Sequence, residues 1–600
     1  MAVQTLTAMF LDVVQKHGNK TSLMKKKNGV YEGIIYNEFG ERVKYVGLGL
    51  ASLGIQAGDR VALISENRME WPFSDLGILS IGATNVPIYP TITSEQIQYI
   101  LADSGTKIII ASTPDLVNKI TPIFDKLPQL EKVIYIDPYE NPTDYMLSFN
   151  ALAEKGKSFA QAHPEYYLEA ASQVKPDDLC GIIYTSGTTG APKGVMLTHQ
   201  NILSNVQNSL LSLRVDETDT FLSFLPLCHS FERMAGQFLA IYAGATIAYA
   251  ESVETVADNL GEVKPTLVTT VPRLLEKVYG RVIENAESGS PIKKKIFYWA
   301  VNVGEKHAKA ILSGKTPAGF LKFKYGLATK LVFSKLHQRV GGHLRFFVSG
   351  GAPLSKEIAE FFFKAGILVL EGYGLTETSP VIAVNQEEKY KFGSVGPKIK
   401  NTEVRIAEDG EILTRGPNIM KGYYNNPEAT DEAIDADGWL HTGDIGYLDD
   451  EGFLFITDRK KNILVTSGGK NVTPASIENL LIMSPYIDQV MVIGDKRNFL
   501  SALIVPAKDN LIKYANEQSI TYESIDALLA HETINKLIKD EIDKLTANLA
   551  RFEQIKKFTL LSNEFTIESG ELTPSLKVKR KIVENNYASV IDAMYDGDKD

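Results

Sequence analysis

The chain of 600 residues has only two cysteines, Cys180 and Cys228. That excludes a disulfide framework, is too few for a cysteine-rich zinc site, and suits a reducing compartment. Long apolar runs are also missing. The richest, residues 238–250, is broken by Gly244 and Thr246, whereas a membrane-spanning helix requires roughly 20 apolar residues; the run reads as core strand and turn. The opening residues, Met1-Ala2-Val3-Gln4-Thr5, show no basic stretch leading into an apolar one, so no secretory signal is expected and a cytoplasmic location is. Positive charge is not in surplus: 63 Lys and Arg against 73 Asp and Glu leave a net −10, which argues against general nucleic-acid binding. There is no repeat and no low-complexity tract, and only residues 596–600 read as disordered.

What is present is the mixture of a globular protein, 44% hydrophobic and 23% charged, in a chain long enough for two or more domains. The charge is unevenly placed. Residues 293–345 hold twelve Lys or Arg and a single acid, Glu305, so this segment carries +11 and the rest of the chain −21.

Short β-rich runs alternate with helical patterns through the first three quarters. Residues 61–64, 107–110 and 132–136 are compact apolar runs of strand length, and the spacing of Ile97, Ile100 and Leu101 predicts a helix over 94–101. Such alternation implies mainly parallel sheets covered by helices. The C-terminal part reads as a small α+β unit. It has strands at 489–493 and 501–505 joined by a polar turn, followed by helical patterns over 524–538 and 541–550. Between the two lies the charged stretch 456–461. The expected organisation is therefore an α/β domain over 1–457 with a smaller β subdomain, a hinge at 458–461, and a mobile C-terminal α+β domain over 462–600. The basic insertion at 281–345 belongs to the first domain.

The most informative stretch is Tyr184-Thr185-Ser186-Gly187-Thr188-Thr189-Gly190-Ala191-Pro192-Lys193-Gly194, set between apolar strands. Its glycines permit tight turns, its hydroxyls and backbone N–H groups can cradle polyphosphate, and Lys193 adds a point charge. It lacks the Gly-x4-Gly-Lys-Ser/Thr spacing of a Walker A loop, which disfavours a P-loop nucleotidase.

This loop resembles the phosphate-binding signature of the adenylate-forming enzymes, which include acyl-CoA synthetases, luciferases and peptide-synthetase adenylation domains. Further similar segments follow in that family's order. They are Leu225-Pro226-Leu227-Cys228-His229-Ser230-Phe231-Glu232-Arg233, Ser349-Gly350-Gly351-Ala352-Pro353 and Glu371-Gly372-Tyr373-Gly374-Leu375-Thr376-Glu377-Thr378. Then come Gly438-Trp439-Leu440-His441-Thr442-Gly443-Asp444, Asp458-Arg459, Ser467-Gly468-Gly469-Lys470-Asn471-Val472 and Pro574-Ser575-Leu576-Lys577-Val578-Lys579-Arg580. The resemblance spans nearly the whole chain. The segment 225–233, Val271-Pro272-Arg273 and the long stretch before Ser349 are similar to the long-chain acyl-CoA synthetase branch.

The resemblance implies a fatty acid–CoA ligase that consumes ATP and releases AMP and pyrophosphate through an acyl-adenylate. Residues 185–190 and Lys193 would bind phosphates. Gly350, Gly351, Ala352 and Tyr373 would hold adenine, and Asp444 and Arg459 the ribose. Thr376 would bond the α-phosphate or the attacking carboxylate, Glu377 would ligate Mg²⁺, and His229 would position or gate the acyl and pantetheine pockets. Lys577 would stabilise the charge developing in the first step. Its neighbour Lys579 is the alternative, because the family often has Gly-Lys where this chain has Leu576-Lys577; the three-residue spacing to Arg580 favours Lys577. Asp458 matches the hinge, and Gly468, Gly469 and Lys470 the loop used in the coenzyme A step. Two other readings share these residues: a fatty acyl-AMP ligase loading a carrier protein, and a non-catalytic lipid-binding relative. Basic and large apolar residues interleave at 292–299 and 320–325, which predicts reversible contact with an anionic membrane surface on its cytoplasmic side.

Overall fold

The computed structural model describes residues 3–185, 191–566, 569–573 and 577–596. Two eight-stranded sheets dominate the larger part. In one, the strands Arg60–Ile64, Thr84–Ile88, Ile108–Ala111, Lys132–Tyr135, Met146–Ser148 and Leu179–Thr185 run parallel, and Lys193–Thr198 and Gly422–Tyr423 close one edge antiparallel. In the other, Thr220–Ser223, Thr246–Tyr249, Leu267–Thr270, Phe346–Ser349 and Leu368–Gly374 form a parallel centre. The central strands are buried along their length, which is why they read as continuous apolar runs rather than alternating ones.

The helix Glu70–Ser80 is buried on every side from Trp71 to Ser80, as a helix sandwiched between layers must be. Through it the two sheets share one core, in which Val61, Leu63 and Ile108 of the first belong with Phe221, Phe346 and Val369 of the second. A smaller antiparallel sheet follows, made of Glu403–Ile406, Glu411–Arg415, Leu440–Leu448 and Leu454–Arg459. The last part has its own apolar core around Ile487–Ile493, Leu500–Pro506 and Ile555–Leu560, covered by the helices Pro474–Leu481, Lys508–Glu517 and Glu532–Thr546. This is the α/β class expected, with a β subdomain and a small α+β unit.

Three local expectations change. Within 238–250, Leu239–Tyr242 is helical, continuing the π-helical segment Glu232–Phe238, and only Thr246–Tyr249 is strand. The helical patterns at 524–538 and 541–550 are divided elsewhere, as Ile525–Leu529 and Glu532–Thr546. The reason is a single buried stripe of Ile534, Ile538, Ile542 and Thr546 at four-residue spacing, capped by the His531 side chain, which accepts from Thr533 N. The charged stretch 456–461 is partly strand, because Leu454–Arg459 pairs with Leu440–Leu448.

Candidate active site

Eight of the predicted residues lie at, or follow, the C-terminal ends of parallel strands. Thr185 ends one strand of the first sheet. In the second sheet, Ser223 precedes the segment bearing His229, Ser349 precedes Gly350, Gly351 and Ala352, and Tyr373 lies at the end of the strand before Thr376 and Glu377. Helix-covered parallel sheets place their clefts at such ends. Of the phosphate-loop residues, Ser186, Gly187, Thr188, Thr189 and Gly190 lie outside the described residues. Thr185 and Lys193 are opposite each other in the ladder that flanks the loop.

The antiparallel sheet supplies the next pair. Its register sets Asp444 directly opposite Arg459, and Arg459 Nε is 3.2 Å from Asp444 Oδ1. Asp444 is buried, and its other oxygen accepts the Tyr373 hydroxyl at 2.6 Å. A carboxylate offers about four lone-pair sites, so both oxygens keep acceptor capacity for a ribose diol. The Tyr373 phenol is pushed well up by burial and by the Asp444 charge beside it, so it remains a donor.

Lys577 comes from the C-terminal part and faces this pair. It is exposed to water, although many protein atoms surround it. Desolvation and the Arg459 cation lower its pKa to about 8, while Asp444 and Glu377 act in the opposite sense. The same ammonium acts on His229, which desolvation first and Lys577 second bring down to about 4. One cation thus converges with His229, Glu377, Asp444 and Arg459. Lys579 instead gives its backbone N–H to Glu571 O. Arg580 anchors the segment by donating to Val492 O at 2.7 Å and to the Glu478 carboxylate.

Around Thr376 and Glu377 the contacts are polar. Thr376 Oγ1 is 3.2 Å from Ser230 Oγ. Glu377 Oε1 accepts the Tyr423 hydroxyl at 2.9 Å, and the Lys193 ammonium lies 4.9 Å over the Tyr423 ring. His229 makes an edge contact with Tyr89 and accepts the Phe231 N–H on Nδ1, which fixes the ring as a neutral group aimed by its own turn. No group of three or more His, Cys, Asp or Glu side chains suited to a metal occurs among the described residues.

Behind His229 the π-helical segment is fixed by buried charge. Arg233 donates to both oxygens of Asp75, at 3.0 and 2.6 Å, and to Cys180 O. Asp75 also accepts from Asn85 and Gln237. Glu232, fully buried, accepts from Ser223 and Thr269, each at 2.6 Å; burial raises its pKa to about 7 against the effect of those two bonds.

Two predicted elements are not part of this cluster. The loop with Gly468, Gly469 and Lys470 is an exposed hairpin tip. Its contacts are to Arg497, Asn498 and Phe552 of its own unit. Asp458 is buried, with burial raising its pKa, and one of its carboxylate oxygens accepts the Arg459 N–H at 2.6 Å.

A family model described as AMP-binding enzyme matches residues 10–424, and one described as AMP-binding enzyme C-terminal domain matches residues 461–599. The chain belongs to the AMP-binding enzyme family. A long-chain-fatty-acid–CoA ligase, FadD15, of Mycobacterium bovis is 36% identical, covering 95% of this chain and 93% of its own length. The peroxisomal long chain acyl-CoA synthetase 7 of Arabidopsis thaliana is 33% identical, covering 94% and 82%. Among solved structures, the anthranilate CoA ligase AuaEII in complex with anthranoyl-AMP superposes with a TM-score of 0.74 at 21% identity, over 98% of each chain. At that identity the likeness is one of fold.

For this AMP-binding enzyme, two residues at or behind the site carried no sequence signal. Tyr423 sits in Gly422-Tyr423-Tyr424-Asn425-Asn426, which reads as a polar turn. Asp75 is a single polar residue whose partner Arg233 lies 158 positions away. Only the unusual burden of polar residues in the otherwise apolar stretch around Asp75 could have drawn attention to it.

Proposed function

We propose that this AMP-binding enzyme is a long-chain fatty acid–CoA ligase that makes an acyl-adenylate and then a thioester. The observation that carries the reading is Lys577: a cation from the C-terminal unit enters the cleft where Glu377, Asp444 and Arg459 converge. A carboxylate is a poor acyl donor because oxide would have to leave. Its attack on the α-phosphorus of ATP breaks the bond to pyrophosphate and gives a mixed anhydride, from which AMP departs when a thiol attacks. The first attack brings anions together, and Lys577 stabilises the charge that develops. Asp444 and Arg459 hold the sugar, Tyr373 lies against the base, and Thr376 orients the reacting oxygens. Glu377 is a lone carboxylate at the phosphate site, which suits Mg²⁺, an ion that takes one or two carboxylates and otherwise phosphates and water. When bound there it would neutralise phosphate charge.

The second step needs other groups. In this reading, residues 458–461 are the hinge between the domain over 1–457 and the one over 462–600. Rotation there withdraws Lys577 and brings the Gly468-Gly469-Lys470 tip to the thiol of coenzyme A. Gly469 has φ +71 with no atom of the described residues within 4 Å of a would-be Cβ, which leaves its backbone room to face a ligand. The long-chain preference is supported by the names of the relatives and by the residues 225–233. The test is a fatty-acid panel with ATP, Mg²⁺ and coenzyme A in which pyrophosphate and thioester are followed together. Acyl-AMP accumulating without thioester would favour carrier-protein loading, and no pyrophosphate at all would leave a lipid-binding relative.

A membrane-docking role for the basic segment belongs to the same reading. No helix among the described residues is long and apolar enough to cross a membrane. However, Phe320, Phe323, Leu327 and Leu331, spaced three and four apart along Gly319–Ala328 and the turn after it, are all exposed, the first two at 70% and 69%. Lys322 and Lys330 flank them, also exposed, and the Lys324 ammonium lies 4.3 Å over the Phe320 ring. An exposed apolar stripe edged by lysines is what an interfacial helix presents to anionic lipid. Binding to anionic vesicles should fall with salt and with Phe320→Ser/Phe323→Ser; binding indifferent to both would leave the segment a solvated face.

A further inference from the structure

The site has a bridge between its two ATP-phosphate groups that the proposed chemistry does not use. The strand Gly422–Tyr423 pairs antiparallel with Lys193–Thr198, setting Tyr423 opposite Val195, and Tyr424 N donates to Gly194 O at 2.7 Å. Two glycines lie in this ladder, and each is packed too tightly on its other side to carry a side chain. At Gly194 a Cβ would come within 2.8 Å of the Ile182 side chain, and at Gly422, with φ +139, within 2.8 Å of Thr430. The same segment reaches the other group through its backbone, since Met420 N donates to Glu377 O at 2.9 Å. The half-buried Tyr423 side chain then touches both. Its hydroxyl donates to Glu377 Oε1 and its ring face lies under the Lys193 ammonium.

We infer that Tyr423 is a positioning residue that fixes the Glu377 carboxylate for a divalent cation and the Lys193 ammonium for the ATP phosphates, so that metal and nucleotide binding are set by one side chain. This rests on the ligase reading above. Each contact has its own physical content. A hydroxyl bonded to one oxygen of a metal-binding carboxylate locks its rotamer and leaves the second oxygen to the ion. A ring face attracts an ammonium and restricts a chain that otherwise has four free torsions. A side chain whose role was packing alone would have no need to meet both a carboxylate and an ammonium.

The two contacts separate by substitution. Tyr423→Phe keeps the ring and its packing and removes only the donor to Glu377; Tyr423→Leu removes both. The measurement is equilibrium binding of ATP to the full chain, without acyl substrate, first in chelator and then across a Mg²⁺ titration. For Tyr423→Phe, metal-free ATP binding should stay within about 2-fold of the native chain, while the Mg²⁺ concentration that half-maximally tightens ATP should rise about 10-fold. For Tyr423→Leu, metal-free binding should in addition weaken about 2- to 5-fold. A Mg²⁺ titration of Tyr423→Phe that overlays the native one overturns the inference, as does metal-free binding of Tyr423→Leu equal to that of Tyr423→Phe. A native chain that binds no ATP overturns the ligase reading and the inference with it.

Discussion

Replacing Lys577 by alanine removes a cation that the C-terminal unit brings to Glu377, Asp444 and Arg459. Loss of a single preorganised group aimed at developing charge typically lowers a rate about 10²- to 10³-fold, and the adenylation half-reaction of Lys577→Ala should fall in that range. Thioester formation from supplied acyl-AMP should survive. The environment of Lys577 adds a pH signature. Desolvation and Arg459 bring its pKa to about 8, so roughly nine-tenths is charged at pH 7 and one-tenth at pH 9. The charged form is the useful one. The kcat/KM of adenylation, which reports the free enzyme, should therefore be level below pH 8 and fall about tenfold per unit above it. Lys577→Arg, with its much higher pKa, should lose that alkaline limb whatever its absolute rate. The assay is pyrophosphate release with palmitate over pH 6 to 10. An unchanged limb in Lys577→Arg, or normal adenylation by Lys577→Ala with loss in Lys579→Ala, would refute the reasoning.

Three further outcomes are expected. Arg233→Ala should destabilise the chain by about 3–5 kcal/mol in urea unfolding, because it leaves the Asp75 carboxylate buried without its cation, and Asp75→Leu/Arg233→Met should recover much of the loss. Glu232 has a folded-state pKa raised to about 7 from an unfolded 4.5; its stabilising contribution is complete below pH 4.5 and is lost as pH rises through 7. Glu232→Gln should therefore gain on the native chain as pH rises through that window, by about 1.4 kcal/mol per unit, and equal pH slopes in paired melts would contradict it. Gly469→Leu, strained at φ +71, should slow thioester formation from acyl-AMP while leaving pyrophosphate release intact.

The architecture was legible because parallel strands buried on both faces leave uninterrupted apolar runs, as at 61–64 and 108–110. Segment boundaries failed where capping and tertiary stripes decide, as at His531 and at the helix Leu239–Tyr242. The short motifs named residues that converge in space, including Asp444 and Arg459. What they did not give was the reason: a ladder register that sets those two opposite each other cannot be read from their spacing of fifteen residues. Tyr423 and Asp75 were invisible for a related cause. Each is a lone polar residue whose meaning lies in a partner far along the chain. The exposed stripe from Phe320 to Leu331 was half visible, since interleaved lysines and aromatics were plain but their common face was not.

The central claim is that the fatty-acid carboxylate attacks the α-phosphorus of ATP within the cleft formed by Lys577, Glu377, Asp444 and Arg459. The direct measurement uses palmitate labelled with ¹⁸O in its carboxylate, supplied with ATP, Mg²⁺ and coenzyme A, with the phosphate products analysed by mass. The account predicts AMP carrying one ¹⁸O atom and unlabelled pyrophosphate, in step with thioester formation. Label in orthophosphate, with ADP as the nucleotide product, would contradict it.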